Sequence, residues 1–238
     1  MNLSLFDAYN LRARFCVSFF YATPFIFDII YFSNTTFSIA ESIILSTICV
    51  VVCQALLSIY RTPIKKQSLR NTAAELLSPW SSLPTGVRAR YYRKLASFEP
   101  EFKPLLNYIN FKTQANENIS IEISKLCIDV IFWLRAKTRN PEMFRLLYEE
   151  HINYGYIKNM LRFKPIGIGA NLLFLFLWTI HLFSNGHTFI GAVYGWDSLC
   201  LIIHLITILY LHWSIDVSAV DAAATRYAYA LLETIDIL

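Results

Sequence analysis

Positive charge is confined almost entirely to the middle of this 238-residue chain. Eighteen of its twenty-one Lys and Arg residues lie between Arg61 and Lys164, together with nine acidic residues, which gives that stretch a net charge of +9. Two long apolar segments precede it and two follow it, and the connections within each pair, at 33–36 and 184–197, contain no Lys or Arg. Because Lys and Arg accumulate in the cytoplasmic segments of membrane proteins, this pattern predicts four membrane spans, with both termini and the middle of the chain in the cytoplasm.

The composition is also typical of a membrane protein. Hydrophobic residues make up 55% of the chain and charged residues only 16%, whereas about a quarter of the residues in an average soluble domain are charged. We predict an all-α membrane protein with four transmembrane helices in two hairpins and a helical cytoplasmic domain inserted between them. The predicted segments are a cytoplasmic amphipathic lead at 1–14, hairpin 1 at 15–60, the basic cytoplasmic domain at 61–164, hairpin 2 at 165–213 and a cytoplasmic C-terminal helix at 214–238.

Apolar residues of the middle region recur at helical spacing, and no part of it alternates with the period of a strand. Ile123, Leu126, Val130 and Leu134, for example, lie on one face of an amphipathic helix. We predict cytoplasmic helices at 69–77, 85–98, 102–111, 120–137 and 141–163, the last of them capped by Asn140. The C-terminal helix, from 215, is expected to pack on this domain or on a second copy of itself.

Two acidic residues, Asp28 and Glu41, lie within the first predicted hairpin, near its outer end. Carboxylates are costly at membrane depth and mark functional sites. In an oligomer they would form an acidic ring that attracts cations at an external pore mouth. The alternative is that both carboxylates reach the membrane surface and have no functional role.

Polar stripes on the second and fourth predicted spans provide further pore candidates. The second span contributes Ser42 and Ser46, and the fourth contributes His204 and Thr207. Small polar residues suit a narrow hydrated path, but they also allow helices to pack closely. A histidine at this depth can likewise be a packing residue that is hydrogen-bonded to a neighbouring helix.

Two basic clusters of the middle domain are candidate ligand sites. Arginine side chains bind phosphate groups, and tyrosine rings can stack on bases, so a nucleotide or oligonucleotide is a reasonable ligand. The alternative is a basic surface that binds anionic lipid. The first cluster is Arg88, Arg90, Tyr91, Tyr92, Arg93 and Lys94, and the second is Arg135, Lys137 and Arg139.

No sequence motif indicates an enzyme, because the chain lacks a phosphate-binding Gly-rich loop, a nucleophile elbow and a zinc-peptidase signature. The five cysteines have no CxxC spacing, which favours reduced thiols over a disulfide framework or a zinc site. We therefore expect no catalytic residues, no bound metal and no cofactor.

Two stretches resemble a known group of proteins. They are Phe144–Ile168, with the sequence FRLLYEEHINYGYIKNMLRFKPIGI, and the tail VSAVDAAATRYAYALLETI. Together with the four-span plan, they resemble small membrane proteins of bacterial defence operons. The nearest are the membrane effectors of Hailong-type antiphage systems, and CBASS-like transmembrane effectors are a looser match.

In such systems a partner nucleotidyltransferase makes a nucleotide or DNA oligomer that controls a membrane channel. The resemblance implies an oligomeric channel of the bacterial inner membrane that depolarises the infected cell. We expect a homo-oligomer, with a tetramer as the first expectation, because one four-span chain has too few polar faces to enclose a pore. The alternative functions are a small transporter and a membrane scaffold that recruits a cytoplasmic partner.

Overall fold

The computed structural model describes residues 8–33, 38–59, 72–109, 117–184 and 196–238. Every regular element within these ranges is helical, so the all-α prediction is confirmed for this part of the chain. The basic run after the second predicted span, which includes Arg61, Lys65 and Arg70, lies outside the described residues. Most residues of the two base-free connections, 33–36 and 184–197, also lie outside the described residues.

Eight numbered α-helices and four other helical segments form the regular structure of the described chain. A turn at Ala8–Asn10 and a π-helical segment at Leu11–Phe15 lead into the first helix, and 3₁₀-helices occupy Pro100–Tyr108 and Thr234–Asp236. The α-helices are α1 (Cys16–Ser33), α2 (Ile39–Ile59), α3 (Thr72–Leu77), α4 (Thr85–Phe98), α5 (Glu117–Lys137), α6 (Arg145–Ser184), α7 (Trp196–Ser214) and α8 (Val217–Glu233).

Membrane-length helices are present among the described residues. Three are long and apolar enough to cross a membrane: Ala8–Phe32, Ile39–Leu56 and Arg145–Ser184. A fourth candidate, Ser198–Ser214, meets the same criterion only together with Val217–Asp236, from which it is bent by 60°.

In α6, the last predicted cytoplasmic helix and the third predicted span form one continuous helix. The structure has one helix of forty residues with Pro165 inside it. A proline inside a helix removes one backbone hydrogen bond, and in membrane helices neighbouring groups can compensate for that loss. Here the helix continues through Pro165.

The chain divides into two compact units. We call residues 1–63 and 155–220 the span unit, and residues 64–154 and 221–238 the insert unit. These divisions differ from the predicted domain boundaries at 164/165 and 213/214. Residues 155–164 belong to the span unit because Met160 and Phe163 are buried there, in a cluster with Tyr21 and Leu211.

The span unit is held together by α1, α2, the later part of α6, and α7. Tyr21 donates a hydrogen bond to the Met160 carbonyl at 2.8 Å. Near the start of α1, the Asn159 amide donates to the Ala13 carbonyl of the π-helical segment at 2.7 Å. These bonds tie the start of α1 to the middle of α6.

The insert unit has its own apolar core, to which α3, α4, the first 3₁₀-helix, α5 and α8 contribute. α8 therefore packs on the inserted helices, which is one of the two positions expected for the C-terminal helix. The fully buried side chains at its centre include Leu77, Tyr92, Leu95, Leu105, Leu134 and Leu231.

Candidate functional sites

A buried polar network lies inside the span unit. It joins Asp28 of α1, His204 of α7, and two residues of α6, Asn171 and Trp178. His204 and Asn171 are fully buried and Asp28 is only 4% exposed. Burying polar side chains costs free energy unless they are hydrogen-bonded, so the bonds within this network decide whether it stabilises the helices.

Each polar atom at the centre of the network has a partner. His204 Nδ1 lies 2.7 Å from Asn171 Oδ1, and His204 Nε2 lies 3.0 Å from Asp28 Oδ2. The other carboxylate oxygen, Asp28 Oδ1, accepts a hydrogen bond of 2.8 Å from the Trp178 indole. The network therefore connects three helices through side chains that lie up to 176 positions apart in the sequence.

Aromatic rings enclose the histidine. The rings of Phe25 and Phe174 lie with their centroids 5.6 and 5.9 Å from that of His204. This surrounding is apolar, so interactions between the charges of the network are stronger than they would be in water.

The carboxylates of Glu41 and Asp28 have different structural roles. Glu41 forms a capping box at the start of α2, where Ser38 donates to its carboxylate from the backbone nitrogen at 2.7 Å and from the hydroxyl at 2.9 Å. The Ser38 hydroxyl in turn accepts from the Glu41 backbone nitrogen at 3.4 Å. Thus Glu41 is an exposed helix-capping residue in this structure, whereas Asp28 is bound inside the unit.

Two of the three remaining pore candidates, Ser42 and Thr207, make local hydrogen bonds. Ser42 and Thr207 are 8% exposed, and each donates to the carbonyl four residues earlier in its own helix, that of Ser38 and that of Ile203. Ser46 is half-buried. Hydroxyls bound in this way satisfy their hydrogen-bonding groups within one helix.

Half of the first basic cluster is part of the core of the insert unit. Tyr92 is fully buried and donates to the Leu77 carbonyl at 2.6 Å, and Tyr91 and Arg88 are each 4% exposed. Burial raises the pKa of both tyrosine hydroxyls, so both remain neutral. These two rings stabilise the fold of α4, and their burial leaves no face open for stacking on a base.

The other half of that cluster lies at the surface, near the end of the chain. Arg90 forms an ion pair of 2.7 Å with Asp236, and Lys94 forms one of 3.2 Å with the same carboxylate. Lys94 also donates to the Asp236 carbonyl at 3.0 Å. Arg93 is exposed on the same helix. Arg90 and Lys94 thus hold the C-terminal 3₁₀-helix against α4.

Two residues of the second basic cluster lie in a cavity of about 400 Å³ inside the insert unit. The cavity lies between the end of α5 and the beginning of α6. In the turn that joins these helices, the Asn140 side chain accepts a hydrogen bond from the Glu142 backbone nitrogen at 2.9 Å. Its lining residues are Arg135, Thr138, Arg139, Pro141, Leu147, Tyr148, His151, Tyr154 and Tyr227.

The cavity combines positive charge with stacked aromatic rings. The Arg135 guanidinium lies 5.9 Å from the centre of the Tyr227 ring. Tyr154 stacks on Tyr227 with an interplanar angle of 11°, and the His151 ring lies 5.4 Å from that of Tyr227. Arginine groups bind phosphate and aromatic rings bind planar bases, so the lining suits an anion that carries an aromatic ring.

Lys137 lies outside this cavity, with its amine 5.5 Å from the Trp133 ring. The sequence predictions identified Arg135 and Arg139 but missed the cavity residues of α6 and α8. A signal was present in α6, because Tyr148, His151 and Tyr154 recur every three residues and lie close together on a helix. Nothing in the sequence connects them to Tyr227.

No protein-family model matches the chain, and neither the curated proteins nor the solved structures contain a match.

Proposed function

We propose that this protein is an oligomeric membrane effector in which an anionic aromatic ligand bound by the insert unit controls ion passage through the spans. The observation that carries the proposal is the cavity, where Arg135 and Arg139 lie beside the stacked rings of Tyr154 and Tyr227. Its volume of about 400 Å³ falls in the range of small-molecule sites. The ligand class is a nucleotide or a short single-stranded oligonucleotide, supplied by a partner nucleotidyltransferase.

The membrane arrangement in this proposal has four spans in two hairpins, in the bacterial inner membrane, with both termini and the insert unit in the cytoplasm. Side-chain contacts support the pairing of the helices. Ser18, near the start of α1, donates to Gln54, near the end of α2. Lys164 of α6 donates to the carbonyls of His212 and Ile215, at the end of α7. Each contact is the one expected between antiparallel neighbours.

One helix supports the link between ligand and membrane. His151 and Tyr154 of the cavity belong to α6, and the same helix carries Asn171 and Trp178 of the buried polar network. A ligand that binds one arrangement of α6 more tightly than another shifts the equilibrium towards that arrangement. In the proposed role, this shift opens or closes a path between subunits and depolarises a phage-infected cell.

The ligand site is tested by binding of a fluorescein-labelled short single-stranded DNA to the detergent-solubilised protein, with AMP as competitor. Arg135→Glu/Arg139→Glu should weaken binding by tenfold or more and reduce its salt dependence, because fewer counterions are released. Lys137→Glu reverses one charge on the same segment outside the cavity, and it is the matched control for Arg135→Glu and Arg139→Glu made singly. If the control loses as much affinity as these single variants, the cavity is not the site.

The channel role is tested by dye-reported membrane potential in cells and by the mass of the purified particle. A homo-oligomer is expected, with four 27.5 kDa chains as the first expectation. Expression under activating conditions should depolarise cells, and Arg135→Glu/Arg139→Glu should change that response. A monomer in mild detergent would contradict the channel role.

The topology is tested separately with reporters. Reporters at both termini and at Gln114 should all show cytoplasmic activity, as the base-free connections predict. A periplasmic signal at Gln114 would overturn the orientation.

A small transporter is the second candidate, and the buried contact between Asp28 and His204 favours it. Proton-coupled transporters place such groups within their spans. Counterflow separates the two roles, because a transporter exchanges labelled for unlabelled substrate and a channel does not.

A further inference from the structure

We propose that Asp28 and His204 form a binding site for a single proton that fastens α1 to α7, and that separating these helices above neutral pH releases this proton. This proton site requires neither a cavity ligand nor ion conduction. It is formed by the hydrogen-bonding groups of Asp28, His204, Asn171 and Trp178.

The orientation of Asn171 determines where the first imidazole proton lies. The Asn171 side-chain nitrogen donates to the Gly167 carbonyl at 2.8 Å. A carbonyl can only accept, so the amide oxygen is the atom that faces His204 Nδ1. Nδ1 must therefore carry a hydrogen and donate it to Asn171 Oδ1 across 2.7 Å.

The contact between His204 and Asp28 then requires one further proton. His204 Nε2 and Asp28 Oδ2 lie 3.0 Å apart, and both present lone pairs if neither is protonated. One proton between them makes a hydrogen bond, either from an imidazolium to a carboxylate or from a carboxylic acid to a neutral imidazole. In both forms the pair has no net charge.

Other proton counts are unfavourable at this place. Removing the shared proton leaves a carboxylate facing a lone pair in an apolar surrounding, and adding a second leaves an uncompensated positive charge there. Trp178 stabilises the pair by donating to Asp28 Oδ1 at 2.8 Å. The site is therefore built to hold one proton.

Two further titratable groups lie on the helices that surround the pair. On α6 the pair faces Asn171 and Trp178, and the same helix carries His181, whose ring lies 5.4 Å from that of Trp178. On α2 the neighbouring titratable group is the thiol of Cys49, which is close enough to sense the charge of Asp28. Among the described residues, the ion-pair partner of Asp28 is His204.

Separation of α1 from α7 changes the proton count, because each group then meets water. A solvated aspartate loses its proton near about pH 3.9 and a solvated histidine near about pH 6.5. Above about pH 6.5 the separated groups hold no proton where the closed pair holds one. Rising pH therefore favours separation, by about tenfold per pH unit for one proton released.

The full-length protein, unfolded by SDS in mixed micelles at pH values from about 7 to about 8.5, tests this linkage. Asp28→Asn is the informative variant, because its amide can donate to Nε2 and does not titrate. On unfolding, this variant should release one proton fewer than the wild type. Its unfolding equilibrium constant should therefore change tenfold less per pH unit. Trp178→Phe keeps the Asp28–His204 contact, so it should lower stability and retain the wild-type slope.

Nitrogen NMR of ¹⁵N-histidine-labelled protein gives a second readout that does not depend on unfolding. The His204 signals, assigned by their loss in His204→Gln, should not titrate between about pH 5.5 and about pH 8 in the wild type. If His204 titrates near about pH 6.5, as a solvated histidine does, the proposed site does not exist. Equal pH slopes for the wild type and Asp28→Asn would overturn the proposal as well.

Discussion

The ring of Tyr21 lies directly against the backbone of Gly167, so that a β-carbon at that position would overlap ring atoms Cε1 and Cδ1. The same tyrosine is 1% exposed and donates its hydroxyl hydrogen to the Met160 carbonyl at 2.8 Å. The absence of a side chain at Gly167 therefore sets the distance between α1 and α6.

Gly167→Ala should destabilise the span unit by about 1–3 kcal/mol, because the methyl group displaces Tyr21 from a packed position. Gly169→Ala is the matched control, since a β-carbon there would meet open space. That control should be neutral or stabilise the helix by about 0.5–1 kcal/mol. SDS unfolding of the two variants measures both effects, and equal stabilities would contradict the close packing of Tyr21.

Lys164→Met should destabilise the end of α7 by about 1 kcal/mol, because cations near a helix C-terminus stabilise its free carbonyls. The Lys164 amine donates to the Ile215 carbonyl at 2.7 Å and to the His212 carbonyl at 3.1 Å. Hydrogen exchange of residues 211–216 should accelerate in this variant. Lys103→Met, in which an exposed lysine of the insert unit is changed, should leave that exchange rate unaltered.

Stability of the insert unit should fall at alkaline pH. Burial raises the pKa of the Cys127 thiol to about 12 and raises that of Tyr92 as well. Both groups keep their protons when folded and lose them near about pH 8.5 and about pH 10 when unfolded. The stability they contribute is therefore complete below about pH 8.5 and decreases as pH rises.

Cys127→Ala should remove the loss of stability that begins near about pH 8.5. Tyr92→Phe should remove the part above about pH 10 and, by leaving the Leu77 carbonyl without its donor, cost about 1–3 kcal/mol at neutral pH. Hydrogen exchange of residues 120–134 in the full-length protein measures both effects. Equal protection factors (intrinsic exchange rate divided by observed rate) in the wild type at about pH 7 and about pH 10.5 would refute this prediction.

Asp236→Lys should loosen the end of the chain, because it places a positive charge beside Arg90 and Lys94. The ion pairs are partly exposed, so the loss should be about 1 kcal/mol or less. Exchange of residues 234–238 should accelerate. Arg90→Glu combined with Asp236→Lys should restore slow exchange, and failure of this charge swap would show that the pairs do not hold the C-terminal segment.

The helical class and the membrane-length segments were predictable from the sequence because they depend on local composition. The pairing of Asp28 with His204 was not, because it depends on how α1 and α7 pack, and the sequence analysis placed the two residues in separate pore features. Long-range packing of this kind leaves no trace in the spacing of residues along one helix.

The structural roles of Glu41 and of the buried face of α4 could have been predicted from the sequence but were not. Ser38 and Glu41 have the spacing of a capping box, which accounts for that carboxylate through local helix chemistry. In α4, Arg88, Tyr92 and Leu95 recur at intervals of three and four residues, as a buried helix face does. That pattern would have separated the buried half of the first basic cluster from its exposed half.

The length of α6, which has forty residues, can be compared with the thickness of a bilayer. At about 1.5 Å per residue such a helix is about 60 Å long, twice the thickness of about 30 Å of a bilayer's hydrocarbon core. Its last twenty residues, from Pro165 to Ser184, contain no Lys, Arg, Asp or Glu, whereas Lys158, Arg162 and Lys164 come before them. In the proposed membrane arrangement, about half of α6 therefore lies outside the hydrocarbon core, and Lys164 marks the depth at which the helix leaves the lipid.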